Sequence, residues 1–452
     1  MSLPPGPRFA PLQALRLARD PLGYLDGLHA RYGDAFTIPV PLFGKIAYFA
    51  HPDAVRDVFR GDPAALHAGE ANEGPLGPVL GKHSVIVLDE DDHMRERKLL
   101  LPPFHGDRMH EYARIFADTA AAEVERWPLG EPFALRPRMQ ALSLEVLLRS
   151  VLGVTDEARL AEYHRRVSHM MKVSNAIVWV QALRRDLGRW SPWGRFVRAR
   201  AEFDELVHEE IDRGRADPGL AEREDVLSLL LQARREDGSP MTREELRDEL
   251  VTVILAGHET TATGLSWFFE RVLRHPRVEE RLRAELEAGE EAYLEATVRE
   301  VFRVRPPFFD VVRRTAREVE LGGWRIPARS YVGLSIILVQ RRPDVYESPL
   351  ELRPERFLDE APGGYTWIPF GGSVRRCIGA AFSLLEMKVI AGTILRHARL
   401  SVPDPRPERA KAHHIMLAPA RGARVVLDER LSPAAVALVT KGNERNSLER
   451  SR

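Results

Sequence analysis

The sequence predicts a mainly α-helical single domain that carries small β-sheets. Three observations point there. Most of the chain from Asp53 onward places apolar residues at helical spacing. β-branched and aromatic residues gather instead in three short patches near the two ends of the chain. No Pro/Gly/Ser-rich linker, internal repeat or low-complexity run divides the 452 residues. Length alone would allow two or three domains. The missing linker favours one, over 1–428, followed by a polar tail over 429–452 that ends "KGNERNSLERSR" and is expected to fray.

The elements follow in chain order. "TIPVPLFGKIAYFA" (37–50) reads as strand broken by Pro and Gly. "MHEYARIFADTAAAEVERW" (109–127), "LSLEVLLRSVLG" (142–153) and "FVRARAEFDELVHEEIDRGR" (196–215) read as helices. Residues 246–275, "LRDELVTVILAGHETTATGLSWFFERVLRH", read as one long helix. Strand-like sequence returns at "VVRRTAREVELGGWRIPARSYVGLSIIL" (311–338). A strong helix follows at "IGAAFSLLEMKVIAGTILRHA" (378–398), and a last β patch at "HHIMLAPARGARVVL" (413–427).

Composition excludes several function classes. Lys+Arg and Asp+Glu both number 66, so no net charge draws the chain to nucleic acid or marks it as disordered. One Cys cannot form an internal disulfide, which suits a reducing cytoplasm. The start "MSLPPGPRFAPLQALRLARDP" has Pro, Arg and Asp where a signal peptide or anchor needs an unbroken apolar run. No apolar run elsewhere reaches the length of a bilayer span. A soluble cytoplasmic protein is expected.

Three motifs carry chemistry. The first is "FGGSVRRCIG" (370–379), which holds the only cysteine, Cys377. A lone Cys is usually a small buried hydrophobe. Here it lies at the start of a helix, where free N–H groups and the macrodipole stabilise a thiolate, and Arg375 and Arg376 add positive charge. Such a site holds an anionic sulfur, either as nucleophile or as metal ligand. A single thiolate ligand points to haem, whose iron takes one axial Cys. The second motif is the middle of the long helix. Gly257, Thr260, Thr261, Thr263 and Gly264 are poor helix formers, and Glu259 puts a charge inside an apolar run. The cluster is either a bend whose hydroxyls bond back to the preceding turn, or a local widening that opens a groove with an acid and an alcohol beside it. The third is "EVFRVRPP" (300–307). Glu300 and Arg303 stand i,i+3 on a helix and can pair. Arg356 of "PERF" (354–357) offers a second arginine, and a carboxylate clamped by two arginines would be a buried structural lock.

These motifs, in this order, resemble those of the cytochrome P-450 family of haem-thiolate monooxygenases, over about Leu12 to Asp428. The resemblance implies haem b as cofactor, with Cys377 as the axial ligand of its iron and Phe370 packed near the sulfur. It implies that Arg375 meets a haem propionate. "HMRERK" resembles the family's propionate-binding helix and contributes His93 and Arg97, and "RRTA" contributes Arg314, with Arg313 as the alternative. Glu259 and Thr260 resemble the acid–alcohol pair that delivers protons to bound oxygen, with Ala256 and Gly257 lining the oxygen site. Substrate-facing positions fall within 67–87, 170–180, 308–312 and 415–416, among them Val87, Phe308, Val311, Ile415 and Met416. They are mostly apolar, so a lipophilic substrate such as a fatty acid, terpenoid, steroid or polyketide is expected. Asp310 is the polar exception, able to orient a substrate hydroxyl or amine or to face solvent.

The chain departs from the family pattern at Ser373 and Arg329, where Gly is usual, and at Gln340, where His is common. The turn at "IPAR" (326–329) is expected to be altered, and the short 285–291 segment to lack a small helix. "LPPGP" (3–7) resembles the hinge that follows a membrane anchor, with only Met1 and Ser2 before it, so no anchor is expected. Residues 378–452 are too few for a fused reductase. The expectation is a monomer that takes electrons from a separate ferredoxin or flavodoxin with its NAD(P)H-dependent reductase, docked by Arg375, Arg376 and Lys388. Two alternatives remain: an enzyme driven by peroxide or rearranging hydroperoxides, and a non-catalytic haem sensor or carrier.

Overall fold

The helix expected over 246–275 spans Arg243–Val272 in the computed structural model, which describes residues 3–431 except 41, 42, 107, 180, 360–362 and 414. It starts early because Thr242 and Glu245 form a reciprocal cap: Thr242 Oγ1 accepts the Glu245 N–H, and the Glu245 carboxylate accepts the Thr242 N–H at 2.7 Å. Most of this long helix is buried, and the main core is built around it. Its closest partners are the helices Leu135–Val151 and Ala380–His397. Near its C-terminal end the fully buried Trp267 donates its indole N–H to the carbonyl of Leu417 at 2.7 Å, which satisfies the one polar atom that burial would strand. Its N-terminal half grips the segment before helix Glu90–Leu100. Asp248 accepts the His83 N–H, Glu249 accepts the Val85 N–H, and Thr252 donates to Ser84.

The strand patches at the two ends of the chain form a common sheet. Its five strands run in the order Ala35–Val40, Gly44–Phe49, Tyr331–Ser335, Asp310–Thr315 and Leu66–His67. The first pair is an antiparallel hairpin, and Gly44–Phe49 pairs in parallel with Tyr331–Ser335. Gly333 has a specific reason to be glycine: a Cβ there would lie 2.7 Å from the Tyr48 ring. Tyr48 therefore crosses over that strand and donates to the Asp310 carboxyl at 2.5 Å. Of the two expectations for Asp310, solvent or substrate, the structure gives a third: a bond to tyrosine. Burial pushes this carboxyl up to about 6, with the Tyr48 hydrogen bond opposing.

Three differences from the sequence reading stand out. Two helices, Ala10–Arg19 and Pro21–Tyr32, precede the first strand; each has Pro in its first turn, and Asp20 caps the second. Residues 336–338, expected as strand, begin the short helix Ile336–Gln340, capped by Ser335. The last strand, Arg424–Arg430, passes the domain end expected at 428. The rest of the expected tail, 432–452, and Val180 lie outside the described residues. As anticipated, helix Pro276–Glu287 is followed almost at once by helix Ala292–Val304. No helix among the described residues is long and apolar enough to cross a membrane.

Candidate functional site

The cysteine loop is a tight turn wedged against the sheet side of the molecule. Gly371 and Ser373 both take left-handed backbone, with φ of 65° and 60°. A Cβ on Gly372 would lie 2.3 Å from the Phe59 ring. The loop closes when the Cys377 N–H donates to the Phe370 carbonyl at 2.9 Å. The Phe370 ring packs edge-on against Phe302 and Trp367. The following helix, Ala380–His397, begins just after Gly379, so Cys377 sits immediately before it. The Cys377 side chain is accessible, yet protein surrounds it closely enough that burial pushes the thiol up. The Gly379 N–H and the charges of Arg97 and Arg376 pull the other way and favour the thiolate.

Beside this loop lies a set of inward-facing cations. Arg375 donates to the carbonyls of Val85 and Leu88 and pairs with Asp89. Arg97 donates to the Arg376 carbonyl at 2.7 Å and so ties helix Glu90–Leu100 to the cysteine loop. His93 is buried. Desolvation, then the charges of Arg375, Arg97 and Arg313, depress its imidazole to about 3, so it is neutral. Arg313 is buried too. Burial and Arg375 lower its guanidinium to about 10, with Asp89 opposing. Arg314 is not part of this set. Alternate strand residues face opposite sides, and Arg314 turns away to bind Glu70 at 2.6 Å and stack on Tyr331. Of the two arginines the sequence offered, Arg313 is the one that stands with this set. Asp89, not anticipated from sequence, is the set's one carboxylate partner among the described contacts.

On the long helix, Ala256 is exposed between the half-buried Leu255 and Gly257, and Thr260, one turn on, is half-buried. Thr260 donates to the Ala256 carbonyl at 2.6 Å, so its proton is engaged and its lone pairs face outward. The helix is unbroken through residues 256–264. The expected widening thus does not appear as a break. The glycines serve close packing instead: a Cβ on Gly257 would meet Leu147 at 3.1 Å, and one on Gly264 would meet Met387 Sδ at 3.0 Å. Glu259 is not on the face of Ala256 and Thr260. Its carboxylate is held by Arg136 at 2.7 Å and by Gln140 at 2.5 Å. Burial alone would raise it, but His258, Arg136 and Gln140 outweigh that and hold it below the usual range. Arg136, which holds the Glu259 carboxylate, is a partner no sequence motif marked.

Glu300 and Arg303 are both completely buried and form a two-point pair at 2.7 and 2.8 Å. The remaining donors of Arg303 go to the carbonyls of Gln340, Pro349 and Glu351, so all five are used. Glu300 also accepts the Arg353 N–H at 2.9 Å. Arg356 is the looser member, 3.5 Å away, with its Nε making no hydrogen bond. Gln340 extends the cluster: it donates to the carbonyls of Phe302 and Arg303 and accepts the Ile368 N–H at 2.9 Å.

Of the substrate-facing expectations, the structure brings Phe308 and Met416 together in an isolated β-bridge, with half-buried Ile415 in the adjoining turn. Val311 faces the cysteine loop at Gly371, and Val87 lies in the turn that Arg375 fastens. At "IPAR", Arg329 has φ 62° and its N–H bonds to the Thr315 carbonyl. Both departures at usual glycines, Ser373 and Arg329, thus take a left-handed backbone of the kind a glycine adopts readily. A Cβ there costs roughly 1–2 kcal/mol. The docking cations are also revised. Arg375 points inward and Lys388 is paired with Glu291 at 3.1 Å, which leaves Arg376 exposed.

The family model described as Cytochrome P450 matches residues 1–425. The chain is 40% identical over 437 residues to cytochrome P450 135B1 of Mycobacterium tuberculosis, covering 94% of this chain and 91% of that protein. It is 38% identical over 401 residues to cytochrome P450 138 of Mycobacterium bovis, covering 88% and 90%. Its fold is similar to that of a cyanobacterial CYP120A1 solved with retinoic acid, with a TM-score of 0.82 at 22% identity over 95% of this chain and 100% of that one.

Proposed function

The chain belongs to the cytochrome P450 family of haem b monooxygenases, and on that premise we propose that Cys377 holds the haem iron and that the enzyme inserts one atom of O2 into a lipophilic substrate. One observation carries the reading: an accessible sulfur, Cys377, beside buried cations that outnumber their carboxylate partners. Arg313 and Arg375, with Arg97 and the neutral N–H of His93, demand a doubly anionic group, which the two propionates supply. When bound, the haem supplies the centre at which O2 is activated, using two electrons and two protons. The Phe370 carbonyl fixes the loop by accepting the Cys377 N–H, and the Gly379 N–H moderates the charge on the sulfur. Thr260 offers lone pairs at the accessible face of the long helix and can order a water there. Glu259, ionised and clamped, reaches that face only if Arg136 lets go. Phe308, Val311, Ile415, Met416 and Val87 support an apolar substrate. Electrons are proposed to come from a ferredoxin or flavodoxin and its reductase, docking near Arg376.

The test is turnover. A compound chosen from a library by its shift of the Soret band should be oxidised with NADPH and surrogate redox partners. Oxidation with peroxide alone, and none with NADPH, would favour a peroxide-driven enzyme. With the same compound, Thr260→Ala should keep the Soret shift and still consume NADPH. It should release more hydrogen peroxide, and product per NADPH should fall, up to the roughly 10²–10⁴-fold that a positioned proton-transfer group is worth. An unchanged ratio leaves Thr260 as a helix back-bond.

The revised arginine assignment makes a second prediction. Arg313→Ala should speed haem transfer to an apomyoglobin acceptor by roughly 10–100-fold, since a charge-assisted hydrogen bond contributes about 1.5–3 kcal/mol. Arg314→Ala should leave the rate near wild type. Equal effects would return Arg314 to the site.

A further inference from the structure

Glu386 belongs to none of the groups described so far. It lies on helix Ala380–His397, whose N-terminus follows Cys377, and is 1% exposed. Its carboxyl touches two hydroxyls. Ser143 of helix Leu135–Val151 bonds Oε1 at 2.9 Å, and Thr261 of the long helix bonds Oε2 at 3.1 Å. Thr261 is the residue after Thr260. One carboxyl thus joins the cysteine's helix to the helix that carries the oxygen-site alcohol, with a third helix as brace. No lysine or arginine among the described residues pairs with it, and burial, opposed by the two hydroxyls, pushes it up to about 8. It is therefore held largely as a neutral acid at neutral pH, able to donate one hydrogen bond and accept another. The next residue, Met387, makes the close approach at Gly264, one turn along the long helix from Thr261. The two helices are fixed to each other by a polar contact at Thr261 and an apolar one at Gly264. Both contacts lie on the face of the long helix turned toward the cysteine's helix.

We propose that Glu386 is a positioning residue: through Thr261 it fixes the rotation of the long helix and so sets where Thr260 stands relative to Cys377. The inference rests on the proposed roles of Cys377 and Thr260. Neutral hydrogen bonds such as these two contribute only modestly to net stability. The contribution of Glu386 is geometric, and misplacement of about 1 Å at a reacting centre can cost about 10²-fold in rate.

The probe is carbon monoxide on the reduced, haem-loaded protein, read by its infrared stretching band. Glu386→Leu should shift or split this band as the helix takes other rotations, while the Soret position stays that of the wild type. Thr261→Val breaks the same link from the other side, should act alike, and serves if the first variant does not fold. Glu386→Gln keeps one donor and one acceptor and should hold the wild-type band. A single unshifted band in Glu386→Leu and Thr261→Val overturns the proposal, as does a Glu386→Gln band displaced like that of the leucine variant. A general loss of stability would lower the melting temperature without moving the band. A wild-type protein lacking the thiolate Soret position would instead refute the role of Cys377 on which the inference rests.

Discussion

Cys377→Ala, reduced and exposed to carbon monoxide, should lose the long-wavelength Soret band of thiolate-bound haem completely, and turnover should fall to background. Cys377→His should give the shorter-wavelength band of nitrogen-ligated haem. The size of the effect follows from the sequence, since no second cysteine exists to replace the first. It also follows from the loop. The Cys377 N–H to Phe370 carbonyl bond and the left-handed residues Gly371 and Ser373 fix the backbone that presents the sulfur. None of these needs the thiol, so the alanine variant should fold and separate loss of ligand from loss of structure. A variant that retains the thiolate band would remove Cys377 from the iron.

The second large effect is on folding. Glu300→Ala should unfold with far less urea than wild type, or fail to accumulate with haem. Arg303 has no exposed surface, and without Glu300 it keeps three carbonyl partners but no counter-charge. Removing one member of a buried pair costs on the order of 3–5 kcal/mol, against a total stability of about 5–15 kcal/mol for a typical protein. Arg356→Ala should cost much less, because its contact to Glu300 is 3.5 Å and lacks hydrogen-bond geometry. Urea midpoints of the two variants measure the difference. Equal losses would restore the three-member lock that the sequence suggested.

The long, strongly periodic elements were legible because amphipathic spacing is a local property. Helices 109–127 and 246–275 match Arg108–Glu125 and Arg243–Val272 to within a few residues. The parallel pairing of Gly44–Phe49 with Tyr331–Ser335 was not, since nothing in either strand names a partner almost 300 residues away. The site divides the same way. Residue types with a fixed spacing, such as Glu300 and Arg303 or His93 and Arg97, could be read as pairs on one helix face. Which way a strand residue points could not, and that is why Arg314 was preferred to Arg313. Arg136, Asp89 and Glu386 were missed because their importance lies in contacts made across the fold to Glu259, Arg375 and Thr261. An acid in a helix is unremarkable in sequence. A signal was present only in hindsight, as a Glu within the apolar stretch "FSLLEMKVIAG".

Gln340 fastens the cysteine loop with a group that does not titrate near neutrality. Its amide donates to the carbonyls of Phe302 and Arg303, on the helix that carries the buried ion pair. It accepts from Ile368, two residues before Phe370. Gln340 thereby ties the loop to that helix, alongside the Trp367 indole N–H that reaches the Arg299 carbonyl at 3.2 Å. An imidazole in this place would supply one donor and one acceptor while neutral, and would lose the acceptor on taking up a proton. That change falls between about pH 5 and 8 for an ordinary histidine. The amide has no proton to gain or lose in that range. The bonds Gln340 makes between loop and helix therefore keep the same donors and acceptors on both sides of neutrality.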